Sequence, residues 1–270
     1  MSKVIGIIAI KGGVGKTSAV SSIGASAARD FNKKVLVIDA NFSAPNLALH
    51  VGMVNPEVTI HHVLDGKAKA IDAIYPTEHG FDIMPGSLIY EKVNPLLLAD
   101  KIRDLRRKYD LILIDSSPNL NEEILSTMLA SDELIVVTTP DIVTLSSTLR
   151  AVKLAKERRT PISGIILNKV YNKNFELSLR DIEQASGVNV LAVLPHEVQI
   201  LEALSKNIPS SLHKNTESTR EYRKLAGTLV GEQYREKSRF KKALGFFMKN
   251  VPKQEVNRTI LKENKLKGFI

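Results

Sequence analysis

Three glycines and two lysines lie close together in the segment Lys11–Thr17, which reads KGGVGKT. Glycines at positions 12, 13 and 15 allow successive backbone N–H groups to curve around a phosphate without steric clashes from Cβ atoms. Lys16 supplies a positive charge for the β- and γ-phosphates of a nucleotide, and the hydroxyl of Thr17 is a ligand for Mg²⁺. Because a helix pattern follows directly, its positive N-terminal end would face the same anion. We therefore predict that the following residues contact a nucleotide: Gly12, Gly13, Val14, Gly15, Lys16, Thr17 and Ser18.

Two aspartates follow strongly apolar runs, in VLVIDANFSAPN (35–46) and in LILIDSSP (111–118). Both runs are typical of buried strands, and ligands of open α/β sheets bind in the crevice at the carboxyl ends of the strands. An aspartate after a strand is also a common helix cap. The phosphate-binding segment earlier in the chain favours a functional role. We therefore predict that Asp39 and Asp115 organise Mg²⁺ together with Thr17, with Asp115 acting through water.

Apolar runs rich in β-branched residues alternate with helical patterns from residue 3 to about residue 235. The predicted strands are Val4–Ile10, Val35–Asp39, Phe81–Met84, Leu111–Asp115, Leu134–Thr138, Ile162–Leu167 and Val190–Leu194. The predicted helices are Thr17–Asp30, Leu96–Lys108, Asn121–Ala130, Leu145–Arg158, Leu179–Ser186, Val198–Lys206 and Thr219–Glu236. Because most of the strand runs are continuously apolar, they are typical of a parallel sheet that is covered on both faces. The alternation predicts a doubly wound, mostly parallel α/β sheet with helices on both faces, forming one domain over residues 1–236.

The composition excludes several classes of protein. The chain of 270 residues is 43% hydrophobic and 25% charged, which is ordinary for a soluble globular protein. Because it has no cysteine, disulfides, zinc–thiolate sites and iron–sulfur clusters are excluded. No apolar run approaches the roughly 18–20 residues that span a bilayer. Since residues 1–10 lead straight into the phosphate loop, they do not resemble a signal peptide, and we expect a cytoplasmic protein.

The net charge of +9 is concentrated near the C-terminal end. Residues 235–270 carry 11 Lys/Arg and 3 Asp/Glu, whereas residues 1–234 carry 27 and 26. We predict a basic tail over residues 237–270, with an amphipathic helix over Ser238–Val251 that has lysines on one face and Phe and Met on the other. Such a helix either binds a membrane surface or packs on its own domain. Residues 253–270 are mainly polar and basic, and we expect them to be disordered or to form a second short anchor.

The phosphate loop departs from the general pattern, because Ile10 stands where that pattern has glycine and Lys11 precedes the glycine pair. This arrangement resembles the deviant Walker A motif of the MinD/ParA family, ATPases that position division sites, plasmids and cell-pole structures. The runs that end in Asp39 and Asp115 resemble the family's two switch segments. The segments ILNK (166–169) and LPHE (194–197) resemble the two that hold adenine. The motifs match in order over roughly residues 3–210.

The resemblance implies a site for ATP and Mg²⁺ that is completed by a second copy of the chain. In this family the first lysine of the loop reaches the nucleotide of the other subunit, so Lys11 would help ATP to join a homodimer. The adenine contacts implied by the resemblance are Asn168, Pro195 and Glu197. An asparagine amide has the donor and acceptor that a base edge requires.

One residue departs from the family at the position of the water-positioning aspartate, where this chain has Asn41. The catalytic set is then predicted to be Lys11, Lys16, Asp39 and Asn41. Phosphoryl transfer depends more on positioning the attacking water than on removing its proton, and an amide can orient water. Asn41 is thus compatible with hydrolysis. Because it replaces the family's aspartate, we expect an ATPase with slow or partner-dependent turnover.

Three functions fit these features. The first is a MinD-like switch at the inner face of the cell membrane, bound through Ser238–Val251 and acting with an unidentified activating or cargo protein. The second is a ParA-like ATPase that binds DNA nonspecifically, against which the nearly neutral body counts. The third is a nucleotide-stabilised regulatory scaffold with little hydrolysis. Related iron–sulfur carriers need cysteine ligands, which this chain lacks.

Overall fold

The computed structural model describes residues 2–89, 92–234 and 251–267. Its strands are β1 (Lys3–Ile8), β2 (Val35–Ala40), β3 (Tyr75–Pro76), β4 (Asp82–Met84), β5 (Leu111–Ser116), β6 (Glu133–Thr138), β7 (Ile162–Val170) and β8 (Val190–Pro195). They form one sheet in the order β3-β4-β2-β5-β1-β6-β7-β8. Every neighbouring pair is parallel except β3 and β4. Because β2, β5 and β6 are buried along their whole length, their continuously apolar runs suit strands covered on both faces.

The helices lie on both faces of this sheet, so the predicted doubly wound α/β fold is confirmed. They are α1 (Lys16–Phe31), α2 (Leu47–His50), α3 (Ile60–Leu64), α4 (Leu98–Lys101), α5 (Glu122–Ala130), α6 (Ile142–Glu157), α7 (Leu179–Ser186), α8 (Val198–Ser205), α9 (Ser210–His213), α10 (Glu217–Leu229) and α11 (Lys253–Leu266). One core layer packs α1 and α10 against the sheet, and the layers opposite it involve α3 to α7.

The predicted continuous helix over Leu96–Lys108 is wrong. That segment contains the 3-10 turn Pro95–Leu97, the single turn α4, and a second 3-10 stretch over Arg103–Arg107. Pro95 starts the first turn, and the Asn94 side chain caps it by accepting from the Leu96 N–H. These two residues fix the backbone conformation at the start of the segment. The apolar residues still point inward, since Leu98, Ile102 and Leu105 are buried.

The last described element, α11, corrects the expectation of disorder or an anchor for residues 253–266, while residues 268–270 lie outside the described residues. It packs against β8 at the edge of the sheet. The Asn257 side-chain amide donates to the Val190 carbonyl (2.8 Å) and to Glu183 Oε1 (2.7 Å), and the same glutamate accepts from the Val190 N–H. Because these side chains satisfy outward-facing backbone groups, α11 covers a strand edge that would otherwise be open.

Two buried hydrogen bonds and an ion pair fix the same helix further along. Arg258 Nη1 donates to the Leu191 carbonyl (2.7 Å) and to Glu221 Oε2 (2.8 Å). Lys265 lies 3.0 Å from Glu133 at the start of β6. The predicted helix Ser238–Val251 lies outside the described residues apart from Val251, and the boundary between residues 236 and 237 stays a prediction. Among the helices that the structure describes, none has both the length and the apolar character needed to cross a membrane.

Candidate functional site

The largest group of predicted site residues meets in one cleft above the carboxyl ends of the central strands. The cleft is lined by these predicted residues: Gly12, Gly13, Gly15, Lys16, Thr17, Ser18, Asn41, Asn168, Pro195 and Glu197. Asp39 and Asp115 lie below it, fully buried at the ends of β2 and β5. Lys11 and Val14 do not line this cleft, and instead they border a neighbouring groove. The cleft also has an apolar wall that sequence reasoning missed, formed by Ile200, Leu201, Leu204 and Tyr222.

The loop between β1 and α1 has the conformation that its glycines permit. Gly13 has φ of 75° and Gly15 has φ of 96°, values that residues with a Cβ atom rarely adopt. A Cβ atom on Gly15 would lie 2.3 Å from Asn168 Nδ2. Because α1 begins at Lys16, the unpaired N–H groups of its first turn lie at this loop. The segment is therefore shaped as an anion cradle at a helix N-terminus.

Lys16 interacts with the buried carboxyl group of Asp115, which lies opposite Asp39 in the sheet. It is itself 8% exposed, and burial lowers the pKa of its ammonium group although the charge of Asp115 acts in the opposite direction. Burial raises the pKa of Asp115 to about 6, although the nearby hydroxyl of Thr17 and the charge of Lys16 act in the opposite direction. Burial and the charge of Asp115 raise the pKa of Asp39 to about 8. Two carboxylates that are costly to ionise form a site that favours an additional cation.

The residues present fit Mg²⁺ bound with a nucleotide. Asp115 Oδ1 is buried and has no hydrogen-bond partner, so an acceptor is left over at the bottom of the cleft. The hydroxyl of Thr17 lines the cleft and lies within hydrogen-bonding reach of Asn46 Oδ1 at 3.2 Å. Oxygen ligands of this kind are those that Mg²⁺ prefers, in combination with substrate phosphates.

Asp39 organises the loop that follows β2. Its Oδ1 accepts from the Asn41 N–H (3.1 Å), and its Oδ2 accepts from the N–H groups of Asn46 (3.1 Å) and Leu47 (3.0 Å). Both oxygens are therefore committed to backbone donors. The hydrogen bonds of Asp39 therefore shape the loop over residues 41–46.

Asn41 is oriented so that its oxygen is free. The side-chain amide Nδ2 donates to the Ala44 carbonyl, which can only accept, so the other amide atom must be the oxygen. Asn41 Oδ1 is buried and has no partner in the described structure. A side chain that lines the cleft with a fixed, unused acceptor is suited to bind a water molecule.

Lys11 is held away from the main cleft. Its Nζ donates to Thr144 Oγ1 (2.8 Å) and lies 3.6 Å from Asp141 Oδ1. Burial opposes the ionisation of Asp141, but hydrogen bonds from Thr139 and Thr144 outweigh it and lower the pKa of that carboxyl to about 2. No local signal in the sequence pointed to this contact, because 133 positions separate Lys11 from Thr144.

The side chains of Asn168 and Glu197, both predicted to hold adenine, make hydrogen bonds to backbone groups around the cleft. Asn168 Nδ2 donates to the Val14 carbonyl (2.7 Å), and Lys169, which sequence reasoning did not single out, donates through Nζ to the Gly13 carbonyl (2.7 Å). The carboxylate of Glu197 accepts from the backbone of Glu217 (3.1 Å) and Ser218 (3.3 Å), at the start of α10. The Glu197 side chain thus fixes the start of α10, and the residue still lines the cleft.

Comparison with known proteins finds relatives that are ATP-binding proteins or MinD proteins. A family model described as an AAA domain matches residues 2–163. An uncharacterized ATP-binding protein of Methanocaldococcus jannaschii is 30% identical over 246 residues, covering 90% of this chain and 93% of that protein. The septum site-determining protein MinD of Thermotoga maritima is 27% identical over 243 residues, covering 86% and 89%.

Solved structures agree with these relatives. The cell division ATPase MinD of Pyrococcus furiosus is similar to this chain with a TM-score of 0.80 and 32% identity, covering 84% of this chain and 97% of that one. MinD of Pyrococcus horikoshii, solved as a complex with Mg-ADP, has a TM-score of 0.80 and 32% identity, covering 85% and 96%.

Proposed function

This chain belongs to the MinD/ParA family of P-loop ATPases, and on that basis we propose that it is a slowly hydrolysing molecular switch driven by ATP. In the proposed cycle, ATP with Mg²⁺ occupies the cleft and joins two copies of the chain. The dimer then associates reversibly with the inner face of the cell membrane and places a cellular structure, in the manner of MinD. An activating or cargo protein would set the timing of release.

The observation that carries the proposal is the placing of the two loop lysines. Lys16 is buried in the cleft above Asp39 and Asp115, where a triphosphate and its cation would balance the charges. Lys11 is directed to Thr144 in a separate groove and is left over for another role. A single nucleotide bound to one chain would need only Lys16, so Lys11 is available to a second copy.

The hydrolytic step is expected to depend on positioning. Backbone N–H groups of residues 12–15 and the ammonium group of Lys16 would hold the β- and γ-phosphates. When bound, Mg²⁺ would be held by Thr17 and Asp115, and it would neutralise charge on the phosphate oxygens. Asn41 Oδ1, the unused acceptor, would accept a hydrogen bond from the attacking water. Because a neutral amide oxygen holds the attacking water less firmly than a carboxylate would, slow turnover is expected.

Size-exclusion chromatography of the native chain and Lys11→Ala, each with ADP and with ATP, tests the proposal. We expect the native chain to dimerise with ATP only, and Lys11→Ala to bind ATP but stay monomeric. Lys153→Ala, which removes an exposed lysine from α6, is the matched control and should behave as the native chain does. A native chain that stays monomeric with ATP, or a Lys11→Ala variant that dimerises normally, would contradict the proposal.

Membrane and DNA binding are separated by a second measurement. Co-sedimentation with anionic liposomes and with DNA, each with and without ATP, should show ATP-dependent binding to liposomes. The balance of charge supports the membrane, because the surplus of basic residues is in residues 235–270 and not in the body. ATP-dependent binding to DNA alone would favour a partition ATPase instead, and binding to neither would favour a regulatory scaffold.

A further inference from the structure

A buried glutamate on α5 holds the loop that carries Asn41. Glu123 Oε1 accepts from the Ser43 N–H at 3.0 Å, and Oε2 accepts from the Ser43 hydroxyl at 3.3 Å. Glu123 is 8% exposed, whereas Ser43 lies at the exposed tip of the loop over residues 41–46. The Glu123 carboxylate therefore holds the loop through hydrogen bonds to both of its oxygens.

The position of Glu123 on its helix explains how a buried carboxylate is tolerated. Asn121 caps α5 by accepting from the N–H groups of Glu123 (3.1 Å) and Ile124 (3.4 Å), so Glu123 lies in the first turn. A carboxylate at a helix N-terminus is stabilised by the helix dipole. No ion pair of Glu123 with a lysine, arginine or histidine occurs within residues 2–89, 92–234 and 251–267. Its charge is thus available to the donors of Ser43.

The same loop has other attachments, which go to Asp39, to His61 and, through Asn46 Oδ1, to the Thr17 hydroxyl, and none of them reaches Ser43. Asp39 binds the loop at its ends through the N–H groups of residues 41 and 46. The Phe42 carbonyl lies 2.9 Å from His61 Nε2. Because the Ser87 N–H donates to His61 Nδ1 at 3.0 Å, the other ring nitrogen carries the hydrogen and donates to Phe42. Glu123 is thus the contact that joins the tip of the loop to α5.

This contact links the two segments that face the nucleotide. The loop over residues 41–46 follows Asp39 on β2, and α5 starts six residues after Ser116, the last residue of β5. The two strands are neighbours, with Asp39 opposite Asp115 in register. A displacement of either segment would be passed to the other through the carboxylate of Glu123.

We propose that Glu123 is a positioning residue that sets the place of Asn41 and couples the loop after β2 to the segment after β5. The proposal rests on the function proposed above, and it deepens that function by assigning the coupling of the two segments to one side chain. Glu123 does not line the cleft, so its effect is exerted through Ser43 and the loop.

Hydrogen–deuterium exchange of the full chain, with and without ATP and Mg²⁺, tests the contact directly. In Glu123→Ala we expect the Ser43 amide to exchange at least about tenfold faster than in the native chain, because it loses a charged acceptor. Protection of residues 11–17 by ATP should be unchanged. Glu123→Gln should restore protection of Ser43, since its amide oxygen can still accept from the N–H. Glu122→Ala, which removes the exposed neighbouring carboxylate, is the matched control.

Single-turnover hydrolysis supplies the functional measurement. Glu123→Ala should lower the rate by about tenfold while the dissociation constant for ATP changes less than about twofold, and Glu123→Gln should recover most of the rate. If residues 41–46 keep their protection in Glu123→Ala, or if ATP affinity falls in parallel with the rate, the positioning role is wrong. If ATP fails to protect residues 11–17 of the native chain, the proposed function itself fails, and the coupling fails with it.

Discussion

Replacing Asp115 by asparagine should make the nucleotide-free protein more stable near neutral pH. Asp115 is 1% exposed at the end of β5, and burial raises the pKa of its carboxyl group from 3.8 to about 6. Its charge also helps to raise the pKa of Asp39, the neighbour in register, to about 8. Asparagine has nearly the same shape and no charge. The substitution therefore removes the free energy that is needed to ionise a buried carboxyl group beside another one.

The sign and size of the effect follow from the pKa. Because the folded-state pKa lies above the unfolded value, the folded chain keeps a proton that the unfolded chain has released. The free energy of unfolding therefore falls as the pH rises from about 4 to about 6, and the loss is complete above that range. At about 1.4 kcal/mol for each pH unit, the loss is about 3 kcal/mol at pH 7 and about half of that at pH 5. Asp115→Asn should recover this amount.

Urea unfolding at pH 5, 6, 7 and 8 in the presence of EDTA would measure it. Asp104→Asn, which changes an exposed carboxylate in the 3-10 stretch before β5, is the control and should change the free energy of unfolding by less than about 0.5 kcal/mol. With Mg-ADP the order should reverse, since native protein gains stability by binding while Asp115→Asn has lost an oxygen of the cation site. A stability gain that is equal at pH 5 and pH 8, or a loss at pH 8, would refute the reasoning.

Two further substitutions test other parts of the structure. Asn41→Asp should raise the steady-state rate of ATP hydrolysis by at least about tenfold, because a carboxylate is a stronger acceptor than an amide oxygen and positions the attacking water more firmly. A fast native rate that the substitution leaves unchanged would contradict the slow switch. Asn257→Ala should lower the free energy of unfolding by about 1–3 kcal/mol in urea, since the buried Val190 carbonyl loses its donor. The exposed Thr259→Ala on the same helix is its control, and equal effects of the two would contradict the edge-covering role of α11.

Much of the fold was predictable from the chain because its signals are local. Continuously apolar β-branched runs and 3.6-residue periodicity predicted the sheet and most of the helices on its faces. The broken segment over residues 96–108 was not predicted, since its apolar spacing fits a helix and only the packing of Leu98, Ile102 and Leu105 required a different path. Likewise, α11 has too few apolar residues for its sequence to predict a packed helix. It is held by buried hydrogen bonds of Asn257 and Arg258.

In the candidate site, the phosphate loop was predictable from a local motif, whereas the long-range contacts that support the site were not. The roles of Lys16, Thr17, Asp39 and Asp115 stay predictions. Lys16 and Thr17 line the cleft at the start of α1, and the two aspartates lie below it near the ends of β2 and β5. The sequence did not predict the side-chain contacts that hold the loops of the site. Glu123 is 80 positions from Ser43, and nothing local to either residue indicates the contact.

By itself, the sequence determined the glycine loop, the strand–helix alternation and the family, because each depends on spacings of a few residues along the chain. Only the tertiary structure decided which residues Lys11 contacts, which atom of the Asn41 side-chain amide is free, and which carboxylate holds the loop beside it. Those features depend on side chains that are far apart in the chain and that the folded sheet brings together, so no local pattern can indicate their contacts.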